Sequence, residues 1–542
     1  MRRQIRNILA AATTLFVVSL IVKLTDSRQG WHALQAERRL VADGSLELLS
    51  PMQKLQALTE IAQEERRLVR GRRMSSARVT MQTDIVCHLI VLDTFQPHED
   101  ESKTKSSNNG AYDEAFMPII NTPTEDEEPG HDGIGCVPML GEVESGDLIM
   151  VKGLNTSWVT TNKKMLLSNG LYANFTDVVL DRGTLEVTGN ATVSLVTMKN
   201  PKMNIETSQE RRTVDIAVVL VSTIDSSLTF TADNVKDTLF DESKVNFMTQ
   251  FDTCSFGKLK FQLAPAGIIS VTVNEPASNF DSGLALATAA QAELEKTSAL
   301  SMSELGEKVL VCLPPNVGSR PWVASAGVGH WRAQFNDDWC LSLSATMHEI
   351  GHTLGLTHAN QDGEKYGDST DYMAAGYRSQ TQPRRCFNGI KSWELGWYKT
   401  RHHWIDPLTS GDQLIKLAPM VDFDKTSTDE AVIISIRDEY FVTFNRAKGM
   451  NIGTGNKRNQ VIITTQGDGG SESIAGLGVG DVYEMKDYKS TGQSLFIAVC
   501  EFQRGRRGAP DVVFVSIGFG SESKCRIGTI FHRLDDFLPL GP

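Results

Sequence analysis

The chain has 542 residues, 11 histidines, eight cysteines and a formal net charge of −12 at pH 7. This length predicts several domains with buried cores, and the acidic balance does not favour a nucleic-acid partner. The cysteines are scattered and contain no C-x-x-C pair, so we expect up to four disulfides rather than a metal cluster.

The first 23 residues have the pattern of a secretion signal. Three arginines precede an apolar run at 8–22 that Lys23 ends, a length typical of a signal peptide and short for a membrane span. No clear cleavage site follows, so an uncleaved anchor of a type II single-pass membrane protein stays open. We expect a secreted or extracellular protein, which would contact a membrane only through such an anchor.

The next two regions differ in pattern. Residues 24–78 are charged with helical apolar spacing, and we predict a helical pro-segment. It ends in the basic stretch 70–73, which resembles a proprotein-convertase site or is a solvated patch. Residues 79–205 predict a β-rich domain, and the acidic insertion 99–130 lacks the apolar content to fold. This domain carries three N-glycosylation sequons, at Asn155, Asn174 and Asn190.

Alternating strands and helices over 206–404 predict an α/β catalytic domain. Buried or alternating apolar runs predict its strands, at 215–221, 259–263, 269–273 and 308–313. Helices are predicted after the potential cap Thr231 and over 282–294. Segment 322–331 is predicted as an edge strand with which an extended peptide could pair. Residues 405–542 are β-rich with glycine turns such as GDGG and GLGVG, which predicts a β-sandwich-like domain.

The stretch ATMHEIGHTLGLTH at 345–358 is the most informative. His348 and His352 are one helical turn apart and project from the same face, where they can bind one zinc ion. Glu349 can reach a water on that metal without being a ligand. Gly355 favours the left-handed conformation that ends a helix, so the chain can turn back and His358 can supply a third ligand. An open fourth position predicts a catalytic site for one zinc ion.

The HEIGHTLGLTH motif is similar to that of metzincin metalloproteases, and Met373 in YGDSTDYM matches their methionine turn. With CFNGIKSWELGWY, these stretches resemble the gametolysin family, the metzincins that degrade algal cell-wall glycoproteins. The resemblance implies a metzincin-like α/β (α+β) domain with Met373 as an apolar floor under the metal, and the strand patterns on either side predict flanking all-β domains. The chain departs from metzincin patterns at two positions. Ala359 stands where reprolysin-type metzincins have an aspartate, and Ala375 stands where some metzincins have a tyrosine.

These features predict a zinc metalloendopeptidase acting on extracellular or cell-wall glycoproteins. The metal would acidify a water and stabilise the oxyanion, while Glu349 would pass a proton to the leaving amine. Two alternatives stay open: an inactive metal-containing protein that binds wall or matrix, and a zinc amidase with a non-peptide substrate. A calcium ion in the acidic loop 362–371 is a further alternative, although a solvated turn explains its composition.

A zymogen is predicted from the arginine pair Arg211-Arg212, which directly precedes the catalytic strand. A cut there would remove residues up to about 212 as a prodomain. A cysteine thiolate could block the open zinc position until then. Cys136 is the better candidate because its Gly-Cys-Val-Pro setting resembles the cysteine switch of matrix metalloproteases, and Cys87 is the weaker one. The alternative is that both cysteines form ordinary disulfides.

Overall fold

The computed structural model describes part of the N-terminal half and most of the remainder. The described residues are 81–95, 134–140, 143–144, 149–154, 172–181, 184–187, 192–196, 211–519 and Cys525. Within 211–519, residues 299, 319–321, 468 and 507 are not described. The signal segment, the helical pro-segment, the acidic insertion, Asn155 and Asn190 lie outside them. No helix within the described residues is long and apolar enough to cross a membrane.

The strands and helices of the described part are numbered here in chain order. The strands are β1 (Met81–Phe95), β2 (Ile134–Leu140), β3 (Val143–Glu144), β4 (Ile149–Lys152), β5 (Tyr172–Asp181), β6 (Thr184–Glu186), β7 (Thr192–Val196), β8 (Arg212–Thr223), β9 (Leu259–Val273), β10 (Lys308–Leu313), β11 (Ala324–Gly327), β12 (Arg332–Asn336), β13 (His358–Gln361), β14 (His402–Ile405), β15 (Gln413–Leu417), β16 (Glu430–Ala431), β17 (Ile433–Ile436), β18 (Tyr440–Asn445), β19 (Gln460–Gly467), β20 (Gly470–Leu477), β21 (Val482–Met485), β22 (Leu495–Gln503) and β23 (Val512–Phe519). The α-helices are α1 (Ala232–Leu239), α2 (Phe247–Ser255), α3 (Gly283–Thr297), α4 (Leu343–Thr353), α5 (Gly389–Glu394) and α6 (Pro407–Ser410).

Strand β8 lies between β10 and β9 in a mixed sheet with helices on both faces. Its order here is β11-β12-β10-β8-β9, in which only β11 runs antiparallel to its neighbour. Alternate residues of β8 point to opposite faces. Val214, Ile216 and Val218 pack with α1, α2 and α4, whereas Ala217 and Val219 pack with α3. This burial on both faces explains the continuous apolar run of the strand.

Several local predictions agree with these elements. Thr231 caps α1 through a reciprocal pair of bonds with Asn234, and Ser282 caps α3. Strand β10 covers the predicted residues 308–313. The two strands predicted at 259–263 and 269–273 are one continuous strand, β9, because its pairing with β8 absorbs an irregularity between them.

Strand β1 extends the same sheet beyond β11. The two strands run antiparallel, with Leu92 opposite Gly327 and Phe95 opposite Ala324. Strands β1, β2, β4, β6 and β5 also pair in a closed circuit around an apolar core that includes Phe175. The segment 322–331 contains β11, but the prediction of an edge strand is wrong, because β11 lies between β12 and β1 and both of its edges are paired.

All eight cysteines are paired, as Cys87–Cys136, Cys254–Cys386, Cys312–Cys340 and Cys500–Cys525. The first bond joins β1 to β2 inside the closed circuit. This pairing contradicts the predicted cysteine switch at Cys136, because a sulfur bonded to Cys87 provides no thiolate for a metal. The weaker candidate, Cys87, is excluded for the same reason.

Two further sheets face each other over a common apolar core. Their orders are β13-β20-β19-β18-β17-β14 and β16-β15-β23-β22-β21. Strands β13 and β14 come from before residue 406, so the first of these sheets crosses the predicted domain limit at 404/405. Strand β20 lies where the sequence indicated only glycine-rich turns.

Candidate active site

Helix α4 presents His348 and His352 on one buried face. The helix begins after Ser342, whose hydroxyl accepts a hydrogen bond from the amide three residues on at 3.2 Å. Met347 and Ile350 pack into the core on another face. The two imidazole rings lie 4.8 Å apart, measured between centroids, and both side chains are buried. The helical spacing therefore places them as the sequence predicts.

The chain reverses directly after α4. Gly355 has a φ of +94°, a conformation that disfavours residues with a Cβ. The amides of Gly355 and Leu356 donate back to carbonyls of the last helical turn at 2.8 and 3.0 Å. His358 follows as the first residue of β13, and its ring lies 5.6 Å from His348 and 5.0 Å from His352.

The three histidines form a group that could hold one metal ion. A ligand atom of each lies within 4.8 Å of those of the other two. Nδ1 of His348 lies 3.0 Å from the carbonyl of Tyr372, and Nδ1 of His352 lies 2.8 Å from that of Leu356. A carbonyl only accepts, so these bonds place the proton on Nδ1 and the lone pair on Nε2. Imidazole nitrogens are preferred zinc ligands, and the donor set fits that ion.

Glu349 lies beside His348 in the same buried turn and is 1% exposed. Burying a carboxylate costs free energy unless hydrogen bonds or a cation compensate. An ion held by the neighbouring histidines would be such a cation. The position therefore suits a base that acts next to a metal.

Met373 packs against α4 at Gly351. A Cβ at Gly351 would overlap the sulfur of Met373 and lie 3.4 Å from its methyl carbon. The missing side chain thus creates the space that the thioether fills. The amide of Ala359 donates to the carbonyl of Met373 at 3.0 Å, which ties this turn to the strand that begins with His358. Sequence reasoning identified Met373 but not Gly351, whose role is visible only in the packing.

A buried ion pair holds the methionine turn in place. The carboxylate of Asp371 accepts bonds from the amides of Met373 and Asn388, both at 2.6 Å. Its Oδ2 also lies 3.5 Å from Nζ of Lys391, and neither side chain is more than 2% exposed. Burial raises the pKa of Asp371 above its usual range, and the Lys391 ammonium opposes that rise. Sequence reasoning missed Lys391, because nothing local marks a lysine as buried.

Tyr366 is another site residue that sequence reasoning missed. The centroid of its ring lies 4.4 Å from that of His358 and 5.8 Å from that of His348. Its backbone φ of +65° is rare for an aromatic residue and costs about 1–3 kcal/mol. Strain of this kind concentrates at functional sites, but it has no signal in the sequence. Tyr377, two residues after Ala375, is 39% exposed.

Other predicted residues are dispersed. Asp368 and Asp371 are buried and bonded within the chain, whereas Asp362 is exposed. The acidic loop therefore does not gather its carboxylates into one calcium site. Asn174 is half-buried in β5, between β1 and β7, and its glycosylation stays a prediction. Among the described residues, the three histidines are the one group of three metal-binding side chains found together.

A mixed sheet packed on a buried helix with this histidine group is compatible with a metallopeptidase domain. Residues 214–428 match the sequence model of the gametolysin peptidase M11 family, so the chain carries a gametolysin-like metallopeptidase domain over this segment. This result confirms the resemblance noted from the motifs. No curated protein matches the chain. The matched segment starts in β8 and ends before β16.

Gly351→Ala tests the packing of the methionine turn. The added methyl must displace the sulfur of Met373, and we expect a loss of about 1–3 kcal/mol in the free energy of unfolding, with weaker zinc binding. Met373→Leu, which conserves volume, should cost less than about 1.5 kcal/mol, whereas Met373→Asp should destabilise strongly. Chemical denaturation and zinc content measure these effects. Full tolerance of Gly351→Ala or Met373→Asp would contradict this packing.

Lys391→Met tests the buried ion pair. It leaves the Asp371 carboxylate buried without its cation, and we expect a loss of about 3–5 kcal/mol in the free energy of unfolding. The control is Lys296→Met, which breaks an exposed pair with Glu293 and should cost at most about 1 kcal/mol. Urea denaturation of both variants gives the comparison. Equal losses in the free energy of unfolding would show that the buried pair stabilises the protein no more than the exposed pair does.

Proposed function

We propose that this chain is a zinc-dependent metalloendopeptidase of the metzincin type that cleaves extracellular or cell-wall glycoproteins. The single observation that carries the proposal is the convergence of His348, His352 and His358 next to the buried carboxylate of Glu349. The M11 match supports a peptidase with protein substrates. The four disulfides support an oxidising, extracellular location, as does the N-terminal signal pattern.

The chain's own residues account for the acid–base chemistry. Zinc bound by the three histidines would supply the Lewis acidity that polarises the scissile carbonyl and acidifies the attacking water. The carboxylate of Glu349 takes a proton from that water and returns it to the leaving amine. The bonds from Nδ1 of His348 and His352 to backbone carbonyls keep both rings in the tautomer that binds metal.

Two other functions are distinguishable from this one. An inactive wall- or matrix-binding protein has no use for a buried carboxylate at Glu349, and the M11 match favours peptide over other amide substrates. Casein zymography with and without a chelator separates the three. A metalloendopeptidase clears casein only without chelator, whereas a binding protein and an amidase leave it intact, and a model amide substrate then identifies the amidase.

Glu349→Gln tests the role of the base. The substitution keeps the shape and removes the basicity, so we expect about one zinc per chain, normal folding and a rate at least about 10²–10⁴-fold lower. His352→Ala is the paired variant and should lose both zinc and activity. Metal analysis and hydrolysis of a fluorogenic peptide give the two readouts. Near-normal turnover of Glu349→Gln would rule out this mechanism, and stoichiometric zinc after replacement of all three histidines would rule out the site.

We also propose that residues up to about 212 keep the enzyme latent until they are removed. Backbone pairing of β1 with the outer edge of β11 supports this, since an extended substrate would need the same backbone groups. Ile90 and Val137 pack against Leu284 of α3 and add an apolar contact across the same boundary. Arg211 and Arg212 are exposed at the start of β8, where a processing enzyme could reach them.

Replacing Arg211 and Arg212 together with alanine tests latency. We expect the wild-type active form to begin near Thr213, and the double variant to stay uncleaved and inactive. The ion pair of Arg212 with Glu307 is exposed, so its loss should cost little stability. Alanine at the exposed pair Arg504 and Arg506 is the control and should leave processing unchanged. N-terminal sequencing and peptide hydrolysis give the readouts. Full activity of a chain that still carries residues 79–203 would contradict the proposal.

A further inference from the structure

The six-stranded sheet reaches into the candidate metal site. Its outermost strand is β13, which begins with His358 and lies parallel to β20. His358 is opposite Gly470, and Ala359 is opposite Ser471. Strand β20 lies beyond the segment 214–428 that matches the peptidase family. The backbone of the third histidine is therefore held by residues outside the matched domain.

Gly470 allows the close approach of the two strands. A Cβ at this position would overlap the carbonyl oxygen of His358 and lie 2.7 Å from its carbonyl carbon and 3.0 Å from its nitrogen. These are backbone atoms, which cannot rotate away as the end of a side chain can. Any side chain at Gly470 must therefore push β13 and β20 apart.

Ser471 joins His358 to the buried ion pair. Its hydroxyl lies 3.4 Å from the carbonyl of His358, to which it donates, and accepts a bond from Nδ2 of Asn388 at 2.8 Å. It also accepts a bond from Nζ of Lys391. The side chain is 2% exposed. One buried hydroxyl thus connects the strand of the third histidine to the lysine that pairs with Asp371.

A second contact holds the same loop from the C-terminal side. The hydroxyl of Ser369 donates to the side-chain oxygen of Asn456 and accepts from its amide, both at 2.9 Å. The side chain of Asn456 also donates to that of Gln361, at the end of β13, at 2.7 Å. The loop between His358 and Met373 is thus attached to the C-terminal segment at several points.

We propose that β20 positions the third metal ligand, with Gly470 and Ser471 as positioning residues for the peptidase. This inference rests on the zinc site proposed above. His348 and His352 are fixed by α4, so a displacement of β13 moves His358 relative to both. Zinc–nitrogen distances tolerate only about 0.2 Å of change, and supporting partners of metal ligands typically contribute about 10–100-fold in metal affinity.

The test measures zinc affinity of full-length variants by competition with a chromogenic chelator. Gly470→Ala forces the strands apart, and Ser471→Ala removes the shared hydroxyl. Gly476→Ala is the matched control on the same strand, because the three atoms nearest to its added methyl belong to the side chains of Gln460 and Lys457 and not to the backbone of β13. Denaturation of the metal-free proteins and the absorption spectrum of the cobalt forms separate positioning of the ligand from general stability.

We expect about 10–100-fold weaker zinc binding and an altered cobalt spectrum for Gly470→Ala and Ser471→Ala, and wild-type values for Gly476→Ala. If Gly470→Ala does not fold, Ser471→Ala decides the question. Wild-type affinity and spectrum in both variants would overturn the role of β20, as would an affinity loss that Gly476→Ala shares. A wild-type protein that binds no zinc at the histidines would instead refute the proposed function, and this inference with it.

Discussion

Three imidazoles must meet at one buried point, and a single helix cannot supply all three. His358 is ten residues after His348, which along a continuous helix would separate them by about 15 Å. The helix must therefore end after His352, and the left-handed Gly355 provides that end. The methionine turn, the buried ion pair and the neighbouring strand all lie against this reversal.

Contacts around the site stabilise the chain reversal that follows α4. Backbone carbonyls of Tyr372 and Leu356 orient two of the rings, and both of these residues are buried. The Asp371–Lys391 pair connects the methionine turn to α5 and to β20. Buried charges of this kind are costly to separate, so they favour one arrangement of these three segments over alternatives.

The N-terminal strands cover an edge of the mixed sheet. An exposed edge strand offers unpaired backbone groups to any extended chain. In this protein β1 covers the edge of β11, while the Cys87–Cys136 bond stabilises the circuit from which β1 extends. In the latency proposed above, β1 on the edge of β11 would control access without a thiol at the metal.

Much of the catalytic segment follows from local sequence. The spacing of His348 and His352, the cap at Thr231 and the apolar run of β8 each depend on residues within one or two turns, so the sequence alone determined them. Gly351, Tyr366 and Lys391 were not predictable, because their roles depend on what packs against them. The segment around Ser471 indicated only turns, since glycines flank it and its apolar residues are few. Only the tertiary structure, which pairs β20 with a strand more than 100 residues earlier, decided that this segment supports the third histidine, because the choice of a distant pairing partner leaves no local signal in either strand.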